Sequence, residues 1–143
     1  MKYFLPVTKT PRPKVLVVED EPMLRELLTL MIEDWGAAVT AVSTADEGRE
    51  QLRKPGWCLV VTDTQTPGSL SGVDIAWITN KEHPEASIIV MSGQYEFEIG
   101  SLPDRAIFLP KPWQVKSLEE LVSSHLSAPK KAYKQNNNPQ DNT

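Results

Sequence analysis

Four places along the chain set reactive side chains directly behind an apolar run. "VLVVEDE" (15–21) ends in Glu19, Asp20 and Glu21, and "LVVTDTQTPG" (59–68) carries Asp63. "SIIVMSG" (87–93) ends in Ser92 and Gly93, and "AIFLPKPW" (106–113) holds Lys111 between two prolines. Adjacent carboxylates repel, so three in a row ask for a positive partner. Carboxylates, a hydroxyl and an amine gathered in one pocket would suit a divalent cation and a phosphoryl group. Each part also has a plainer use. The acids before Pro22 could cap a helix, Asp63 could precede a turn at Pro67-Gly68, Ser92-Gly93 is ordinary turn chemistry, and Lys111 could be a solvated loop lysine. Only a fold that brings the four places together favours the first reading.

The elements between them predict such a fold. "KVLVV" (14–18), "AAVTAV" (37–42), "WCLVVT" (57–62), "SIIVM" (87–91) and "AIFL" (106–109) are short, apolar or β-branched runs between turn signals, as in strands covered on both faces of a parallel sheet. Helical patterns alternate with them. Leu24, Leu27, Leu28, Met31 and Trp35 recur at helical spacing, with Pro22 suited to the first turn and Gly36 to the stop. Thr44 with Glu47 forms a capping-box pattern opening a helix that runs to "KPG" (54–56). Val73, Ala76, Trp77 and Asn80 share a face of a third helix ended by His83-Pro84, and Leu118, Leu121, Val122 and Leu126 line a last one. Strand-helix alternation predicts an α/β domain with right-handed crossovers and helices on both faces. In such sheets, reactive groups gather at the carboxyl ends of the strands. Glu19, Asp20, Asp63, Ser92 and Lys111 all sit at strand ends and so should meet on one rim.

Bulk properties narrow the rest. A chain of 143 residues, 40% of them hydrophobic, suits one domain with a real core. A net charge of −4 does not favour phosphate backbones, and the local cluster Lys130, Lys131 and Lys134 is expected to be a solvated tail. Cys58 is the single cysteine, which excludes an intrachain disulfide; its apolar setting predicts a small buried residue in a reducing compartment. No run approaches the ~20 apolar residues of a membrane span, and "MKYFLPVTKTPRP" lacks the pattern of a secretory signal, so a cytoplasmic protein is expected. Residues 1–13 are expected to be a flexible arm, 14–127 the domain, and 128–143 a disordered tail.

"VLVVEDE", "VVTDTQTPG", "VMSG" and "LPKP", in that order and each at a strand end, resemble the receiver domain of bacterial two-component response regulators over about residues 14–127. The resemblance implies a doubly wound, flavodoxin-like (βα)5 fold with a parallel five-stranded sheet of order 2-1-3-4-5. It implies that Asp63 accepts a phosphoryl group from a histidine kinase or histidine phosphotransfer protein. Asp20, Asp63 and the backbone carbonyl of Gln65 would bind Mg²⁺ or Mn²⁺, with Glu19 acting mainly through metal-bound water. Lys111 would contact a phosphoryl oxygen, Lys111-Pro112 would be cis, Ser92 would bond the phosphoryl group once formed, and Phe108 would be the switch aromatic.

Three departures from the family pattern stand out. Thr66 replaces the usual methionine, and Gly72 lies five positions past Pro67 instead of four, so the loop is one residue longer. Gln65 and Gln94 fall where the family tunes phosphoryl lifetime. "GQYEFEIGSLPDR" (93–105), between Ser92 and Lys111, is short and lacks helical periodicity. A shortened or irregular fourth helix is expected there, with signalling through an altered version of the face that this helix, the fifth strand and the fifth helix form in the family. Too little chain follows residue 127 for an output domain, so a stand-alone switch is expected: no DNA binding of its own, an unidentified protein target, a homodimer allowed, and no catalysis beyond its own phosphorylation and dephosphorylation. A degenerate receiver serving as a scaffold is the alternative. A haloacid-dehalogenase-like phosphatase would want a second acid where Gln65 stands, and a flavin-phosphate binder would be repelled by "EDE".

Overall fold

Strand β1 (Lys14–Val18) is an interior strand of the sheet, and Val15 to Val18 are all buried. A computed structural model describes residues 11–93 and 101–126. After β1 come α1 (Pro22–Asp34), β2 (Ala38–Val42), α2 (Ala45–Gln51), β3 (Trp57–Asp63), α3 (Gly72–Glu82), β4 (Ser87–Ser92), β5 (Ile107–Pro110) and α4 (Val115–Leu126). The strands form one sheet of order β2-β1-β3-β4-β5, parallel at every pairing. This is the predicted fold and strand order.

Side chains of successive strand residues go to opposite faces. Val15, Val17, Leu59, Val61, Ile89 and Met91 pack with Leu28 and Ile32 of α1 and Leu118 and Val122 of α4. Leu16, Val18 and Val60 pack on the other face with Ala45 and Leu52 around α2 and Ile75 of α3. The central strands are therefore covered on both sides, which explains their near-continuous apolar sequence. β5 is a four-residue edge strand ending in Pro110.

Two helical faces differ from expectation. On α1 the buried residues are Leu28 and Ile32, while Leu27 is about half exposed. On α3 Ile75, Ala76 and Thr79 are buried and Trp77 is half exposed. Cys58 is partly exposed instead of buried; its Sγ lies 3.5 Å from the His125 carbonyl oxygen.

Among the described residues no α-helix separates β4 from β5. Residues 94–100, including Gln94 and much of the stretch expected to be irregular, lie outside the described residues. The part that follows is bound to α3. Trp77 Nε1 donates to the Ser101 carbonyl at 2.6 Å, and Leu102 is buried beside Ala76, Ile88 and Val90. Arg105 donates to Asn80 Oδ1 on α3, to the carbonyl of its C-cap His83 and to the Ala86 carbonyl just before β4, tying this segment to the turn between α3 and β4.

At the amino end, Arg12 donates to the carbonyls of Glu33 and Gly36. Residues 1–10 and 127–143, which include most of the expected arm and all of the expected tail, lie outside the described residues.

Candidate functional site

The turn after β1 separates its three acids by task. Glu21 is the N-cap of α1, its Oε1 accepting the Leu24 N–H at 2.7 Å, with Pro22 at the first helical position. The capping role that could have explained the whole cluster thus belongs to Glu21. Glu19 is 1% exposed, and its Oε2 accepts the Glu21 N–H at 3.0 Å. Asp20 stays exposed at the rim. Arg25, one turn into α1, donates to the backbone carbonyls of Glu19 at 3.0 Å and Asp20 at 3.4 Å, bracing the turn.

Asp63 closes β3, and Gly72 fixes its backbone from the other side. A Cβ on Gly72 would lie 1.5 Å from the Asp63 carbonyl oxygen, so the start of α3 can sit this close only without a side chain. Ser71 begins that helix with a reciprocal capping box to Asp74. Lys111 follows β5, its backbone N–H donating to the Ser92 carbonyl at 2.9 Å. Its ammonium donates to Asp63 Oδ2 at 3.0 Å and Glu19 Oε1 at 3.3 Å. The Lys111-Pro112 peptide is cis.

Asp20, Asp63, Thr64, Gln65, Thr66, Pro67, Ser92, Gly93 and Lys111 line one cavity of about 580 Å³. Glu19 lies behind it, joined through Lys111. Six of the seven expected site residues are therefore brought together. The seventh, Phe108, is partly buried against Ile88, Val90 and Leu102 and does not line the cavity. Thr64 was not singled out in the sequence; its N–H donates to the Met91 carbonyl and its carbonyl accepts from Gly72, and a threonine one residue past an acid gives no distinctive signal.

The electrostatics follow from burial and charge. Burial is the largest influence on Glu19 and holds its carboxyl above the usual value of 4.5; the negative charge of Asp63 adds to this, while the Glu21 N–H and Lys111 act in the opposite sense. Burial alone would lower the Lys111 ammonium, but its hydrogen bond to Asp63 and the charges of Asp63 and Glu19 outweigh it and hold the group above 10.5. One ammonium faces three carboxylates, so negative charge is in excess. Carboxylate oxygens of Glu19, Asp20 and Asp63 all lie within 4.8 Å of one another. All-oxygen donors at this spacing fit a small hard cation such as Mg²⁺ or Mn²⁺.

Three clustered carboxylates, an ammonium and a serine thus meet on the carboxyl rim of a parallel sheet of order 2-1-3-4-5. Residues 15–123 match the response regulator receiver domain family, and the chain belongs to it. Response regulator protein PilR of Pseudomonas aeruginosa is 31% identical over 118 residues, covering 80% of this chain and 26% of PilR; FleR of the same organism is 28% identical over 115 residues, covering 78% and 24%. The chain thus spans about a quarter of the length of these two relatives. A response regulator receiver protein from Sinorhizobium medicae superposes with a TM-score of 0.74 at 30% identity, covering 82% of this chain and 96% of that one. TrrA of Thermotoga maritima, solved in complex with Mg²⁺–BeF, superposes with a TM-score of 0.68 at 25% identity, covering 80% and 99%. No helix among the described residues is long and apolar enough to cross a membrane.

Proposed function

We propose that this protein is a phosphorylation-dependent switch in which Asp63 accepts a phosphoryl group from phosphohistidine on a histidine kinase or phosphotransfer protein. An Asp63 carboxylate oxygen attacks phosphorus and forms the P–O bond. The P–N bond breaks, and its electron pair leaves with the imidazole, which takes a proton. The observation that carries this reading is the pair of contacts from Lys111 Nζ to Asp63 and Glu19 inside the same cavity as Asp20 and Ser92.

Asp20, Asp63 and the Gln65 carbonyl would hold Mg²⁺ or Mn²⁺, with Glu19 adding negative charge from behind. When bound, the cation supplies positive charge that offsets repulsion between the acids and the incoming phosphoryl oxygens. Lys111 keeps a compact ammonium against the acceptor oxygen and can follow it onto the phosphoryl group. Ser92, at the end of β4, offers its hydroxyl to the product. Phe108, packed behind β4, is the aromatic that would move as Ser92 is drawn over. No reaction beyond the protein's own phosphorylation and dephosphorylation is assigned.

The output is a change in protein partners. Added charge and acceptor oxygens shift an equilibrium between two conformations of the loops around Ser92. Exposed Met23, Leu27 and Leu30 on α1, with Leu24 beside Pro112 and Trp113 next to the site, give a donor protein an apolar surface near the acceptor.

Incubation with Mg²⁺ and a small phosphodonor, followed by intact mass measurement, tests the proposal. One phosphoryl adduct is expected in the wild type and none in Asp63→Asn. Equal adducts in both would remove Asp63 from the role, and no adduct in either, without Mg²⁺ binding, would favour the scaffold alternative.

A further inference from the structure

Gln65 sits in the connection from β3 to α3, residues 64–71, and the structure shows how that connection is held. Its ends are closed by the Gly72 N–H donating to the Thr64 carbonyl at 2.8 Å. Its middle is fastened to a different element. Asp46, in the first turn of α2, accepts the Leu70 N–H on Oδ1 at 2.8 Å and the Ser69 N–H on Oδ2 at 3.2 Å. The Thr66 hydroxyl accepts the Ala45 N–H at 2.9 Å, one of the donors that a helix start leaves without a helical partner.

Gly68 closes the arrangement. Its φ is +115°, and a Cβ there would meet Asp46 Oδ2 at 2.9 Å, so the chain lies against the carboxylate. Hydrogen bonds to an ionised acceptor are roughly twice as strong as neutral ones. Two of them on one side chain make Asp46 the main fastening of a segment that belongs to neither a helix nor a strand.

We propose that Asp46, seconded by Thr66, is a positioning residue of the site, holding the β3–α3 loop so that Gln65 stays in the cavity wall with Asp20 and Asp63. This rests on the reading that the cavity takes a divalent cation. Asp46 does not line the cavity; it acts through the backbone of the loop. An acid in the first turn also favours α2 through the helix dipole, but Thr66 carries no charge. Thr66→Val still removes a partner of the α2 start, so Mg²⁺ affinity and the site resonances, not melting alone, separate the two explanations.

The test compares wild type, Asp46→Ala, Asp46→Asn and Thr66→Val. Mg²⁺ affinity is measured by calorimetry, amide resonances by NMR without metal, and stability by thermal melting. In Asp46→Ala the Mg²⁺ Kd is expected to rise about 10-fold, the scale for groups that orient metal ligands. Smaller rises are expected in Asp46→Asn, which keeps one acceptor oxygen, and in Thr66→Val, with Asp63 and Gln65 resonances shifted in all three. A Kd within about twofold of wild type in both Asp46→Ala and Thr66→Val, whatever the melting temperature, overturns the proposal and leaves Asp46 a helix-stabilising acid. If Asp46→Ala does not fold, Asp46→Asn and Thr66→Val give the same readings. A wild type that binds no Mg²⁺ defeats the cation reading by itself; the resonances then decide the positioning role, which is upheld if Asp63 and Gln65 move in both Asp46→Asn and Thr66→Val and overturned if they do not.

Discussion

Replacing Lys111 by methionine keeps the length of the side chain and removes its charge, leaving Glu19 and Asp63 facing each other. Lys111 is 26% exposed, Asp63 14% and Glu19 1%. At an effective dielectric constant near 20, unit charges this close attract by roughly 5 kcal/mol, most of it cancelled by the cost of taking the ammonium out of water. Breaking a buried pair by deleting one member costs about 3–5 kcal/mol. Partial exposure of the lysine puts this case lower, at ~2–3 kcal/mol once screening is allowed for. For a domain of this size the melting temperature should fall by roughly 6–15 °C. Thermal unfolding in a chelating buffer at pH 7.5 and low salt measures it.

The pH profile makes the prediction sharper. In Lys111→Met the deficit should shrink on acidification, because a protonated Glu19 no longer repels Asp63. It should also shrink at alkaline pH. The Lys111 pKa is raised by folding, so its contribution is complete below 10.5 and is lost as pH rises through the higher native value. Mg²⁺ should restore part of the loss by supplying positive charge to the same acids. A variant that melts within about 1 °C of wild type at pH 7.5 in chelator, where a loss of ~2–3 kcal/mol is expected, would show that the acids do not depend on this ammonium.

Further outcomes follow from the same geometry. Glu19 has a pKa raised by folding, so the folded form binds its proton more readily, and stability falls as pH rises from 4.5 through the native value; chemical denaturation of the metal-free protein should show this slope in wild type and not in Glu19→Gln. Gly72→Ala would drive a methyl group onto the Asp63 carbonyl, with an expected loss above ~4 kcal/mol or no folded protein, read by circular dichroism. Arg105→Ala leaves the His83 and Ala86 carbonyls without this donor, at a cost of about 1–2 kcal/mol, and hydrogen exchange should quicken around residues 83–86 while β1 stays unchanged.

Strand identity was plain in the sequence because buried parallel strands need apolar residues on both faces, and "KVLVV" and "SIIVM" have little else. The site was legible for the same reason: polar groups placed directly after such strands have no other rim to occupy. Helix faces were less so. In "MLRELLTLMI" nearly every third or fourth residue is apolar in more than one phase, and only docking against β1 selects Leu28 and Ile32 over Leu27. Ser71-x-x-Asp74 is a capping box with aspartate in place of the usual glutamate, a weaker local sign of a helix start than the Thr44–Glu47 pattern. Asp46 to Leu70 and Arg105 to Ala86 join segments far apart in the chain. Their residue types are common on any surface, so nothing in the sequence marks them.

The sheet's edge has a consequence for how the chain is made. β4 is buried from Ile88 to Ser92 and is flanked on its open side only by the four residues of β5, which emerge last among the strands. Until Ile107 to Pro110 leave the ribosome, a nascent chain holds a ribbon that is apolar from Ile88 to Met91, with an unpaired row of backbone groups, a template for joining neighbouring chains. The finished strand removes that hazard, and Pro110, which has no N–H to donate, limits what can dock on the new edge.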